Sequence, residues 1–276
     1  MSSLAEALKK RHDQITKYLY VGYAHWDGLV ARVERQERKP PGCCADEQVW
    51  TFLVACGYAV AGEEGVLKLT ERLTGSPQES AANPTIWFEC LPISPRQCEG
   101  ATHVDLALGT IARREGTQSG IQIEEADSPW VCFCEMKWLS DISSGVSYDI
   151  HRNQLARVIE NAVCFQRDGT YAERVYVTLV TPSIFRQSSV KSRLYQYKYE
   201  EYSRDTRSLL ADLRACVLEQ RCPCDLAERV QNLSLRWMTY DDLFADLPDS
   251  GIRPELTAFW ASHGNYQGRT PLRKET

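Results

Sequence analysis

The run Trp130-Val131-Cys132-Phe133-Cys134-Glu135-Met136-Lys137-Trp138 constrains the fold more than any other stretch of this chain. It is apolar except for one carboxylate and one ammonium two residues apart, and Ser128-Pro129 and Ser140-Asp141 bracket it. A continuous apolar run between turn residues reads as a buried central β-strand. Strand side chains alternate faces, so Glu135 and Lys137 leave the sheet on the same side. Unpaired charge inside a sheet is costly, and two charges at a strand end therefore mark a candidate site. Upstream, residues 101–108 (Ala-Thr-His-Val-Asp-Leu-Ala-Leu) repeat the pattern, a strand with one carboxylate, Asp105.

Two carboxylates and a lysine at neighbouring strand ends suit one chemistry well. Carboxylate oxygens hold a hard dication such as Mg²⁺ or Mn²⁺ and leave positions for water and a phosphate oxygen. Such a metal lowers the pKa of its water and offsets charge on a phosphorane. A lysine beside it can orient or deprotonate the attacking water, or contact the scissile phosphate. Glu-x-Lys alone carries little weight, since about one such triplet is expected by composition in a chain of this size. Glu37-Arg38-Lys39 also matches, but it lies in the solvated charge run 32–39, without strand character. Context distinguishes Glu135-Met136-Lys137: the apolar strand before it, Asp105 on the preceding strand, and a helix after it.

In these residues the chain resembles the PD-(D/E)XK nuclease superfamily, the restriction-endonuclease-like fold. That core runs helix, three strands, helix, strand, with an acidic residue on the second strand and (D/E)-x-K on the third. The same order is read here. Residues 46–58 form a short helix with a stop at Gly57. Residues 85–91 form a first strand ended by Pro92, residues 102–111 a second, and residues 129–139 a third. Residues 150–165 form an amphipathic helix capped by Asp149, with Leu155, Val158, Ile159, Ala162 and Val163 as its buried stripe. Residues 174–181 form the fourth strand, stopped by Pro182. Val104 stands where the motif's name has proline, and residues 112–128 form an extended hairpin end between the two acidic strands.

The resemblance implies that Asp105 and Glu135 ligate Mg²⁺ or Mn²⁺, with the Met136 carbonyl as a third ligand. Lys137 then positions or activates water. Gln154, early on the following helix, and Glu47, on the first, are supporting candidates. Asp46 and Glu89 compete with Glu47 for the role of the acid that some members place on the first helix. The implied fold class is an α/β restriction-endonuclease-like core, a central mixed sheet flanked by helices, with helical N-terminal and α/β C-terminal extensions. The implied activity is phosphodiester hydrolysis, in DNA rather than RNA by analogy, with homodimers allowed. The rival reading is a non-catalytic module of the same fold that binds nucleic acid or protein.

The remaining sequence sets a frame around that core. Residues 1–40 read as a helical lead-in, 41–185 as the core and 186–276 as an extension packed on it, together one compact domain. Residues 68–84 read as a polar connector, 208–219 as a helix, 233–240 as a strand running into a short helix 241–247, and the last twenty or so as a tail. Net charge is −5, against the basic surface that phosphate binding favours. Basic residues concentrate between positions 186 and 207, where Arg186, Lys191, Arg193 and Lys198 interleave with Tyr195, Tyr197, Tyr199 and Tyr202. That segment either stacks bases and contacts phosphates or packs its tyrosines on the core. Cys56, Cys90, Cys132, Cys134 and Cys164 fall on expected core elements, where thiols act as small apolar groups. The Cys-x-Cys pairs at 132/134 and 222/224 lack structural zinc spacing. No apolar run spans a membrane, the N-terminus does not read as a signal peptide, and the reading is a cytoplasmic protein.

Overall fold

The chain opens with helices α1 (Leu4–Lys10) and α2 (His12–Thr16), strand β1 (Leu19–Val21) and helix α3 (Trp26–Glu37). Helices α4 (Glu47–Ala59) and α5 (Glu63–Thr74) follow, then strands β2 (Ile86–Cys90) and β3 (Val104–Gly109), the hairpin β4 (Ile111–Arg113) and β5 (Ile121–Ile123), and strand β6 (Trp130–Met136). Helix α6 (Gln154–Val163) and the hairpin β7 (Gln166–Arg167) and β8 (Thr170–Tyr171) lead to strand β9 (Arg174–Thr181) and a 3₁₀ turn (Ser183–Arg186). The chain closes with α7 (Leu194–Arg204), α8 (Thr206–Arg214), α9 (Leu226–Asn232), β10 (Ser234–Thr239), α10 (Tyr240–Ala245) and α11 (Arg253–His263). This computed structural model describes residues 3–77, 79, 81–96, 102–142, 153–186, 193–214 and 221–264.

Six strands form one mixed sheet in the order β1-β2-β3-β6-β9-β10. β3 is antiparallel to both β2 and β6, whereas β9 is parallel to β6 and β10 to β9. The β6–β9 pairing follows from the intervening helix α6, because parallel strands need a crossover connection. Strand alternation divides the core in two. Trp130, Cys132, Cys134 and Met136 of β6 join Phe88, Leu106 and Leu108 under α1, α3, α4, α5, α10 and α11. Val131 and Phe133, with Val177 and Leu179, pack under α6, α7, α8 and α9. Burial on both faces is why β6 reads as an apolar run interrupted only by Glu135. The sheet is therefore the middle layer of an α/β protein with helices on both faces.

Several local expectations are corrected. Gly57 does not stop its helix: α4 continues to Ala59, and every residue from Val49 to Ala59 is buried. A Cβ at Gly57 would stand 2.5 Å from Leu247 Cδ2, so glycine there permits close packing of the C-terminal segment. The supposed connector 68–84 instead contains most of α5, whose buried Val66, Leu69 and Leu73 follow helical spacing behind charged neighbours. The lead-in is not wholly helical, since Leu19–Val21 pairs parallel with β2 as an edge strand. Asn153, not Asp149, caps α6 by accepting from Ala156 N at 3.0 Å; Asp149 lies outside the described residues. The expected second strand ends at Gly109, and Ile111 starts the separate β4–β5 hairpin, the excursion anticipated between the acidic strands. Arg253–His263 is helix where tail was expected, because Leu256 and Phe259 bury against the core.

Candidate active site

Three chain segments converge at the end of β6. Lys137 N donates to Val180 O at 2.8 Å, which carries the β6–β9 pairing one residue past Met136 and preserves alternation. Glu135 and Lys137 thus share a face, and Lys137 Nζ lies 2.7 Å from Glu135 Oε1. The register Leu106↔Cys134 and Ala107↔Phe133 sets Asp105 opposite Glu135, where cross-strand side chains adjoin. Asp105 Oδ2 accepts from Met136 N at 2.7 Å. The third segment is the start of α4. Asp46 caps it by accepting from Val49 N, which leaves Glu47 in the first turn. Glu47 Oε1 is 3.1 Å from Lys137 Nζ, while Oε2 accepts from Trp138 N at 2.7 Å and Ser140 Oγ at 2.5 Å. Trp138 is fixed in turn by stacking on Trp50, with ring centroids 4.4 Å apart.

Three carboxylates therefore surround one ammonium, largely out of water. Burial pushes the Asp105 carboxyl well above its ordinary value, and Glu135 and Glu47 add to this, while Lys137 and the Met136 N–H oppose it. Burial of Lys137 works against its charge, but Glu135, Asp105 and Glu47 outweigh that penalty and raise its pKa. The lysine is held as a cation. An all-oxygen donor set with a carboxyl whose charge is disfavoured fits a hard dication, which would reverse that penalty. Among the described residues no group of three His, Cys, Asp or Glu side chains is arranged to hold a metal. A Mg²⁺ site asks for less, usually one or two carboxylates with water and phosphate oxygens completing the shell. Asp105 and Glu135 supply two carboxylates on adjacent strands.

The other expected residues are placed less directly. Met136 contributes its N–H to Asp105. Gln154 takes the first position of α6, just after the Asn153 cap. Lys191 lies outside the described residues. Arg193 is buried, donating to Leu139 O at 3.0 Å with its guanidinium over the Phe185 ring. Lys198 is paired with Glu201 and Asp212 at 3.0 and 3.1 Å. Arg186 is exposed, over the Trp237 ring. Arg193 and Lys198 are thus engaged within the protein, and Tyr195 and Tyr202 pack into the core while Tyr197 stays exposed.

Sequence reading missed the wall beside this cluster. Arg32 of α3 holds both oxygens of Asp46, at 3.0 and 2.9 Å, and also bonds Gln48, which donates to Glu89 on β2. These residues, with Gln36, Glu47 and Asp105, line a cavity of about 610 Å³. One sequence signal was Glu89 itself, a carboxylate in an otherwise apolar strand. Among the described residues no helix is long and apolar enough to cross a membrane. Comparison with known families, curated proteins and solved structures finds no match to this chain.

Proposed function

We propose that the protein is a metal-dependent nuclease on a restriction-endonuclease-like core, acting on DNA. One observation carries this reading: Asp105, Glu135, Lys137 and Glu47 come from three segments and meet at one strand end, with the lysine between carboxylates. Asp105 and Glu135 are the residues that would hold Mg²⁺ or Mn²⁺. The ion would lower the pKa of water and offset charge building on the phosphoryl oxygens. Lys137, kept protonated by its neighbours, donates to the attacking water or the scissile phosphate. Glu47 fixes the Lys137 ammonium and the turn at Trp138 and Ser140, which holds the donor in place. The element order α4, β2, β3, β6, α6, β9, and a β3–β6 antiparallel pair followed by a parallel β9, support the fold assignment.

The test is cleavage of labelled single-stranded, duplex and branched DNA by purified protein with Mg²⁺ or Mn²⁺. Cleavage lost in EDTA and in Asp105→Asn supports the proposal. Absence of cleavage of every substrate, with Mn²⁺ affinity unchanged by Asp105→Asn, overturns it in favour of a non-catalytic module.

A further inference from the structure

The cavity beside the carboxylate cluster is built for more than a metal ion. Its volume of about 610 Å³ falls within the ~300–1,000 Å³ typical of small-ligand sites. Asp105, Glu47 and the α3 residues Arg32 and Gln36 all line it. Two acceptors on its lining residues lack donors. Gln36 is only 6% exposed, and its Oε1 has no hydrogen-bond partner. Glu89 Oε1 accepts from Gln48 Nε2, but Glu89 Oε2 is likewise buried without a partner. Leaving a buried acceptor unmade is costly. Glu89 is also held at φ 49°, a backbone region that non-glycine residues seldom occupy.

Both deficits call for N–H or O–H donors from a ligand. Next to a site that cuts phosphodiesters, the adjoining group rich in N–H donors is a nucleobase. In a duplex those donors are engaged by the complementary strand, so the base must be unpaired. Guanine is the base whose pairing edge offers two adjacent N–H groups, the arrangement a carboxylate accepts best. The exposed Lys39 also lines the cavity and supplies a cation for the flanking phosphate.

We propose that this cavity is a recognition subsite for an unpaired nucleobase, guanine above the others, beside the scissile phosphodiester. Its N–H donors go to Glu89 and Gln36 after a rotation of their terminal torsions. The choice of nucleic acid as ligand rests on the nuclease reading.

Calorimetric titration of 5′-GMP, 5′-AMP, 5′-CMP and 5′-UMP into the full chain in EDTA tests the subsite without cleavage. GMP should bind roughly tenfold tighter than the others, the discrimination of one bidentate base contact. Glu89→Gln should bring GMP to the level of the other nucleotides while leaving Mn²⁺ affinity unchanged. Gln36→Met, whose lost oxygen bonds nothing in the protein, should weaken GMP several-fold and keeps the test open if Glu89→Gln misfolds. Equal affinity for all four nucleotides, or no binding of any, overturns the proposal. So does Glu89→Gln with lower Mn²⁺ affinity and unchanged GMP affinity, which would make Glu89 a metal ligand. Cleavage of single-stranded DNA without guanine preference sinks the subsite and spares the nuclease. GMP binding by a protein that cuts nothing does the reverse.

Discussion

Lys137 Nζ sits 2.7 Å from Glu135 Oε1, and each residue is only 5% exposed. A desolvated ion pair contributes little net stability, since apolar residues of similar volume often do better. This pair is also flanked by Asp105 and Glu47, so the segment concentrates charge where the rest of β6 is apolar. Such a cluster is what the proposed chemistry requires.

The two members of the pair should fail in different ways. Lys137→Met should cut single-turnover cleavage by roughly 10²–10³-fold, the cost of removing one donor to developing charge. It should leave Mn²⁺ affinity equal or higher, because a cation has been taken from among carboxylates. Glu135→Gln should instead weaken Mn²⁺, since it removes one of the two proposed ligands. Calorimetry with each variant separates these outcomes. A Lys137→Met protein that loses metal as severely as Glu135→Gln would end the assignment of Lys137 as a donor.

Much of this site was legible in the sequence because it lies on the two strands whose patterns are least ambiguous. An apolar run broken only by Glu135 and Lys137 admits few readings, and Asp105 interrupts a strand in the same way. Glu47 was legible only as one acid among three, because nothing local tells which carboxylate at a helix start reaches a distant strand end. Of the cavity wall only Asp46 and Glu89 were legible, as rival acids to Glu47. Arg32 and Gln36 look like solvated helix residues, and their roles arise only when α3 packs beside α4 and β2. The basic, tyrosine-rich stretch misled in the opposite direction. Its charges look free in one dimension, yet Arg193 and Lys198 find partners on Leu139, Glu201 and Asp212.

A second buried pair lies away from the site and should behave as structure. Arg96 and Glu160 are 4% and 0% exposed, joined by three contacts of 2.8 to 3.0 Å, and Arg96 also donates to Leu213 O. Glu160→Gln should lower unfolding free energy by about 3–5 kcal/mol, because a buried guanidinium loses its counter-charge. Arg96→Met combined with Glu160→Leu should recover most of that loss. Urea titrations with unchanged m-values would establish both. A single variant no less stable than the double would show the pair to be dispensable.

Glycine is needed where β3 leaves the sheet. Gly109 has φ 138°, and a Cβ there would meet Trp130 O at 2.3 Å and Val131 Cα at 2.9 Å. Those are backbone atoms of a central strand and cannot yield, so Gly109→Ala should cost about 3 kcal/mol. Gly116, in the β4–β5 connection, has φ 71° with nothing near its missing Cβ. Gly116→Ala should cost only the conformational strain, about 1–2 kcal/mol. The ordering is the prediction, and equal melting temperatures for the two variants would refute it.

Thiol chemistry gives a pH-dependent test of packing. Burial pushes the Cys44 and Cys90 thiols up to about 12. Cys222 is half-buried, and a hydrogen bond from Cys164 holds it down, at about 7, while the Cys164 thiol is pushed up in turn. The thiolate is the reacting form, and its fraction rises with pH through the pKa. Alkylation of Cys222 by iodoacetamide should therefore accelerate between about pH 6 and pH 8 and then level off. Cys44 and Cys90 should stay unmodified throughout that range in the native protein. Peptide mapping by mass spectrometry reads each site separately. Cys164→Ala removes the hydrogen bond, so the Cys222 profile should shift to higher pH, toward the ordinary thiol value of 9.0. A profile unmoved by Cys164→Ala would show that Cys222 owes nothing to its neighbour.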